Sequence, residues 1–251
     1  MATHNRAATV MRAVDSMLAQ TFQDWELIIV DDGSTDKTPQ ILAGIDDSRV
    51  SIHQHPENRG CLAAKNTGLD QIRGEWFTIL DDDDEITPDA LAVMLEYAER
   101  TGATAITCNC MDTTTGAMSG SGLTKDGWLS AEEAARCRGE FWGITKTSLL
   151  GDLRFEERLG HGVLGMVWLK INRVARRYYV HRALRIYHTE GADRVTLKKR
   201  KTMKERVRFY SVVGEDAEYL RVLKETYPQE YWRTMLRVQT ARVLRPLLVR
   251  Q

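Results

Sequence analysis

Two short apolar runs, Trp25-Glu-Leu-Ile-Ile-Val30 and Trp76-Phe-Thr-Ile-Leu80, each pass straight into acids: Asp31-Asp32 in one case and Asp81-Asp82-Asp83-Asp84-Glu85 in the other. Runs this short, rich in β-branched and aromatic side chains and ended by turn residues, read as buried strands. Helical patterns alternate with them: 7–20, 38–45, 61–71, and a segment opened by Pro88 at its first turn and running to Glu99. Further strands are expected at 50–53, 104–109 and 178–180, and a helix at 160–174. Such alternation predicts an α/β fold with a mostly parallel central sheet and flanking helices. In sheets of this kind ligands bind beyond the carboxyl ends of the strands, which is where both acid clusters fall.

The chain has 251 residues, enough for one sizeable core, and its 43% apolar and 28% charged content is that of an ordinary globular protein. The net charge of zero hides an asymmetry. Residues 198–251 carry 14 Lys/Arg and 6 Asp/Glu, a net of +8, so the preceding 197 residues carry a net of −8. We therefore divide the chain into an acidic body, 1–197, and a basic helical extension, 198–251, that could face a polyanion such as anionic lipid. The four cysteines, Cys61, Cys108, Cys110 and Cys137, are too few and too unevenly spaced for a zinc site. They read as reduced thiols in a cytoplasmic protein. No run of 18 apolar residues and no signal peptide is visible. The segment Met1-Ala-Thr-His-Asn-Arg6 reads as a loop, and a helix that follows so soon usually comes after a strand. A first strand is expected to be missing or cut short.

Five adjacent acids repel one another unless a cation neutralises them, and hard oxygen ligands on a turn suit Mg²⁺ or Mn²⁺ holding a diphosphate. The competing reading is a solvated acidic turn that caps the helix at Pro88. The position of Asp81–Glu85 at the ligand-binding edge favours metal. In the second cluster Ser34 and Asp36 serve as turn and helix-cap residues, whereas Asp32 can accept from a base N–H or a ribose hydroxyl. Lys65 and Arg59 could meet phosphate charge, though either alone is an ordinary surface cation.

Together these stretches resemble the inverting glycosyltransferase family 2, with its GT-A fold. The matching blocks are Thr3-His-Asn-Arg6, Ser16 to Phe22, Trp25 to Asp36, Asn58-Arg-Gly60, Ala63 to Gly68 and Gly74 to Glu85, with a weaker continuation through Phe141-Trp-Gly143 and Arg154 to Glu157. The resemblance implies a nucleotide-sugar donor bound by His4, Asp31, Asp32, Lys65, Asp81 and Asp82, with Asp32 on the nucleobase and Asp82 on the ribose. It implies a metal, Mn²⁺ or Mg²⁺, on Asp83 with Asp81 nearby. The expected chemistry is attack of an acceptor hydroxyl on the anomeric carbon, with a base taking its proton. Because Asp32 offers an acceptor to the N3–H of uracil, UDP is expected over GDP. The acceptor would be a glycan or lipid-linked molecule of cell-surface polysaccharide or glycolipid synthesis. No nucleic-acid partner is expected.

The sequence departs from the family where an acid usually stands. Gly160-His-Gly-Val-Leu-Gly-Met-Val-Trp168 holds no carboxylate, so the candidate bases are His161, the one titratable side chain inside the stretch, and Glu157 just before it. A catalytically inactive relative that binds nucleotide-sugar or a partner protein is the alternative function. A nucleotidyltransferase would need a glycine-rich phosphate loop after the first strand, and none is present. The tail, from Lys198-Lys-Arg-Lys201 to Arg250, interleaves basic and apolar residues at helical spacing. That pattern fits either a packed helix or peripheral attachment to the inner face of the membrane. Trp142, Trp168, Tyr178, Tyr179 and Tyr187 fit core packing better than an acceptor platform. His188 could lie near the diphosphate.

Overall fold

The computed structural model describes residues 1–130, 133–134, 137–159, 165–189 and 202–248. They form two compact units: Met1–Arg154 with Ala175–Gly191, and Phe155–Val174 with Ala192–Gln251.

In the first unit, β1 (Ala2–Thr3), β2 (Leu27–Asp31) and β3 (Val50–Gln54) make a parallel sheet in the order β1-β2-β3. All five residues of β2 are buried, as expected of a strand covered on both faces. It pairs along its whole length with β3, from Leu27↔Val50 to Asp31↔Gln54. With β1 it pairs only at Ala2↔Val30 and Thr3↔Asp31, so β1 is as short as its loop-like composition predicts. Helices α1 (Val10–Leu18) and α2 (Thr38–Ala43) connect these strands, and α3 (Cys61–Leu69) follows β3.

The second sheet of this unit runs β4 (Trp76–Phe77), β9 (Phe141–Lys146), β6 (Ala105–Asp112), β10 (Arg177–Tyr187) and β5 (Glu85–Ile86), with β7 (Ala117–Met118) on β6 and β8 (Gly127–Trp128) on β10. Among the described residues only β6 and β10 are parallel here, and the other pairs are antiparallel. The sheet is thus mixed where a mostly parallel one was expected. Parallel pairing needs a crossover helix, and in this part of the chain α4 (Ala90–Thr101) alone leads from β5 to β6. Helix α4 ends at Gly102, whose φ of 65° is the left-handed cap that glycine adopts without strain.

One core joins these layers: Val10, Val14 and Met17 of α1, Leu27 and Ile29 of β2, Leu91 and Met94 of α4, and Ile106, Cys108 and Cys110 of β6. Cys108 and Cys110 are therefore core residues, and all four cysteines are free. Gln20 is 2% exposed; its Nε2 donates to Thr87 O at 2.8 Å and its Oε1 accepts from Leu91 N at 3.1 Å, which ties the end of α1 to the start of α4.

The second unit holds α5 (Gly165–Val174), α6 (Met203–Val213), α7 (Ala217–Thr226) and α8 (Pro228–Leu248). Met166 of α5 packs with Val213 and Val238, so this unit recruits a segment assigned above to the body 1–197. The physical reason is that Met166, on one face of α5, is buried against Val213 of α6 and Val238 of α8. Among the described residues no helix is long and apolar enough to cross a membrane.

Candidate active site

The site is built where β2 and β4 end. Asp31 and Asp32, at the end of β2, are 1% and 2% exposed, so each needs donors in place of lost water. Asp31 Oδ1 accepts from Ser34 N at 3.1 Å and Oδ2 from Gln54 Nε2 at 3.3 Å. Asp32 Oδ1 accepts from Arg59 N at 2.9 Å, and Oδ2 from Gly60 N at 2.7 Å. His55 Nδ1 lies 2.7 Å from Asp32 Oδ1, and its Nε2 lies 2.9 Å from Thr67 Oγ1. Asp32 thus holds the turn before α3 in place. A carboxylate has about four acceptor positions, and three are taken.

The turn after β2 is clamped from the N-terminal loop. Asn5, in the left-handed region at φ 54°, accepts through Oδ1 from Thr35 N at 2.8 Å and Asp36 N at 3.2 Å. Its own N–H donates to Ser34 Oγ at 2.8 Å. His4 Nδ1 lies 2.9 Å from Asp32 O. Gly33, at φ 67°, cannot be replaced: a Cβ there would stand 2.5 Å from the Glu57 carbonyl carbon.

The five acids after β4 do not share one fate. Asp81 is bridged by Lys65 Nζ of α3 at 2.9 Å and by Arg185 Nη2 of β10, also at 2.9 Å. Burial acts against its charge, but the two cations outweigh burial and hold its carboxyl far below the usual carboxylate range. Lys65 is affected in turn: burial opposes its charge, Asp81 offsets it, and its pKa rises. Asp82 is 8% exposed, and Arg6 Nε stands 3.5 Å away. Burial, with a smaller contribution from Asp83 and Asp81, pushes its pKa up to about 6 against the pull of Arg6. Asp84, 1% exposed, accepts from Arg185 Nε at 2.8 Å and from His188 N at 2.9 Å. Burial still raises its pKa. Glu85 Oε1 pairs with His188 Nε2 at 2.6 Å. Asp83 differs from all of these. It is half-buried, its backbone carbonyl accepts from Arg12, and among the described residues its carboxylate takes no partner.

This distribution bears on a metal. Among the described residues no three His, Cys, Asp or Glu side chains are grouped to hold one. A Mg²⁺-like ion needs only one or two carboxylates when substrate phosphates supply other oxygens. Asp83 has that capacity, whereas Asp81 is already committed to two cations. The donor set fits.

The family model described as "Glycosyl transferase family 2" matches residues 1–126, half of the chain. The chain belongs to glycosyl transferase family 2. A relative from Campylobacter jejuni, "GalNAc(5)-diNAcBac-PP-undecaprenol beta-1,3-glucosyltransferase", is 35% identical over 204 residues, covering 78% of this chain and 65% of its own length. "Succinoglycan biosynthesis protein ExoO" of Rhizobium meliloti is 43% identical over 103 residues, 41% of this chain and 30% of its own. The chain thus spans less than two thirds of either relative. Among solved structures, S. aureus TarS 1-349 in complex with UDP-GlcNAc has 18% identity and a TM-score of 0.71, covering 90% of this chain and 69% of that one. The fold of this family 2 member is GT-A.

Of the residues singled out in the sequence, His4, Asp31 and Asp32 meet around the turn after β2, and Lys65, Asp81, Asp82 and Asp83 meet after β4. Arg6 links the two groups through Asp82. His188 also reaches the acid run, through Glu85. Glu157 belongs to the second unit, in the 3-10 turn Glu157–Leu159, and His161 lies outside the described residues. Trp142 and Tyr179, 6% and 1% exposed, are core. Arg185, His55 and Asn5 were not singled out. Arg185 had a signal: a charged residue between Leu184 and Ile186, inside a strand of apolar alternation, must find a buried partner.

Proposed function

We propose that this protein transfers a sugar from a UDP-linked donor to a hydroxyl of a glycan or lipid-linked acceptor, with inversion, in cell-surface polysaccharide or glycolipid synthesis. The observation that carries the reading is the uneven neutralisation of the acid run. Lys65 and Arg185 neutralise Asp81, Arg185 neutralises Asp84, and Asp83 alone of these three keeps a carboxylate without a partner among the described residues. The relatives support the acceptor class: one is named for a diphospho-undecaprenol glycan, another for succinoglycan biosynthesis. The UDP-GlcNAc complex of a protein of the same fold supports the donor class.

In this reading Asp31, Asp32 and His4 shape the nucleobase pocket. Asp32 contributes its remaining acceptor position and holds Arg59 and Gly60 in place. Asp82 accepts from the ribose. Asp83, with Asp81 nearby, holds Mn²⁺ or Mg²⁺, which when bound offsets the charge of the departing diphosphate. Lys65 is kept protonated by Asp81 and adds positive potential where the diphosphate sits. The acceptor oxygen bonds to the anomeric carbon as the carbon–diphosphate bond breaks on the opposite face. The hydroxyl proton passes to a base, His161 or Glu157. A lipid-linked acceptor would fit a cytoplasmic enzyme that works peripherally on the inner face of the membrane.

A second reading has one observation in its favour: no acid stands between Gly160 and Trp168. It makes the chain an inactive binder of nucleotide-sugar. Purified protein with Mn²⁺ and a panel of nucleotide-sugars decides between the two. Metal-dependent release of UDP or transfer to an acceptor supports the enzyme, and calorimetric binding of UDP-sugar with no turnover supports the binder. Tighter binding of GDP than UDP overturns the donor assignment.

A further inference from the structure

Helix α8 has two apolar faces. One packs within its own unit, where Val238 and Ala241 are 0% and 2% exposed. The other carries Trp232, Leu236, Val243 and Leu247, which are 66 to 71% exposed. At about 100° per residue these four positions fall within an arc of roughly 60° and span about 22 Å of helix. Single exposed apolar residues are ordinary on a protein surface, but four in one line opposite a packed face are not.

The charge on the flanks identifies what covers this stripe. Arg233 lies on one side and Arg242 on the other, each within about 40–80° of its edge by the same geometry. Arg233 pairs with Glu230 one turn earlier, and Arg242 makes no ion pair among the described residues. Glu230 is the one acid in α8, against Arg233, Arg237, Arg242 and Arg245. A second copy of the helix would bring these arginines against their own kind. It would also bury Gln239 in the middle of the seam and meet Pro246 near its end. An anionic lipid surface meets the same pattern without conflict. Apolar side chains enter the acyl boundary, Trp232 sits at headgroup level, and the arginines lie along the phosphates with their stems on the apolar side.

We propose that α8 is an interfacial membrane helix that docks this protein on an anionic bilayer through Trp232, Leu236, Val243 and Leu247, with Arg233 and Arg242 on the lipid headgroups. The inference deepens the reading of a lipid-linked acceptor, and rests on it for the biological purpose of docking. The docking itself is testable without turnover.

The experiment is co-sedimentation of the full chain with vesicles of phosphatidylcholine alone or mixed with phosphatidylglycerol. Wild type should pellet with the mixed vesicles and much less with phosphatidylcholine. The double variant L236E/V243E should lose binding by on the order of tenfold or more, because two apolar anchors are replaced by charges. R233E/R242E should lose the preference for phosphatidylglycerol. Both positions of the first variant are exposed, so its circular dichroism and unfolding midpoint should match wild type, and Trp232→Ala offers a milder version of the same test. Calorimetric binding of UDP-sugar should be the same in wild type and variants, so failure of the donor reading and failure of docking give different results. Wild type that ignores anionic vesicles, or variants that bind as well as wild type, would overturn the proposal. So would a wild-type dimer in sedimentation equilibrium that L236E/V243E splits.

Discussion

Arg185 Nη2 donates to Asp81 Oδ2 at 2.9 Å across 104 residues of sequence, and the same guanidinium reaches Asp84 through Nε at 2.8 Å. Strand β10 thereby fixes the acid run from beneath. Arg185→Met should leave Asp84, 1% exposed, without its cation and Asp81 with Lys65 alone. Removing one partner of a buried ion pair typically costs about 3–5 kcal/mol. We expect a loss of that order in urea unfolding, partly recovered in R185M/D84N, where the stranded charge is also removed. A loss below about 1 kcal/mol, the range of exposed pairs, would show that the cluster is solvated and not organised by Arg185.

Asp83→Ala should abolish Mn²⁺-dependent binding of UDP in calorimetry while leaving the unfolding midpoint near that of wild type. The side chain has no partner to lose among the described residues, so the fold does not depend on it. Equal metal-dependent binding by variant and wild type would remove Asp83 from the metal site.

The contrast between these two residues shows what the sequence could and could not reveal. Adjacent acids after a buried strand announce a cation, and the alternation of strands and helices places them at the ligand edge, so Asp81 to Asp84 were legible together. Their separate fates were not, because they depend on partners distant in the chain: Lys65, Arg185 and the backbone of His188. Likewise Asp32 is readable as a strand-end acid, but its partners His55, Arg59 and Gly60 follow from how the turn before α3 folds back. The mixed sheet escaped because β5, β7 and β8 are two residues each, too short to leave a period, and because the pattern of a strand such as β4 or β9 does not state its direction. The place of α5 in the second unit escaped because an amphipathic helix does not state which core takes its apolar face.

The last prediction concerns the base. Proton removal from an acceptor hydroxyl typically contributes on the order of 10²–10⁴ in rate. His161 is the one titratable side chain between Gly160 and Trp168, and Glu157 stands just before it. We expect His161→Ala to lower turnover by about that factor with UDP-sugar affinity unchanged, because the residue acts on the acceptor and not on the nucleotide. A neutral imidazole is needed, so the wild-type rate should fall as pH drops through roughly 6.5, the ordinary histidine value, and the variant should lose that limb. If Glu157 is the base, Glu157→Gln shows the loss instead and His161→Ala behaves as wild type. A carboxylate introduced at Val163 or Leu164 adds a control. If wild type transfers to no acceptor and such a variant gains transfer, the chain is a binder that has lost its base. Wild-type activity indifferent to changes at both His161 and Glu157 would place the base elsewhere in the chain.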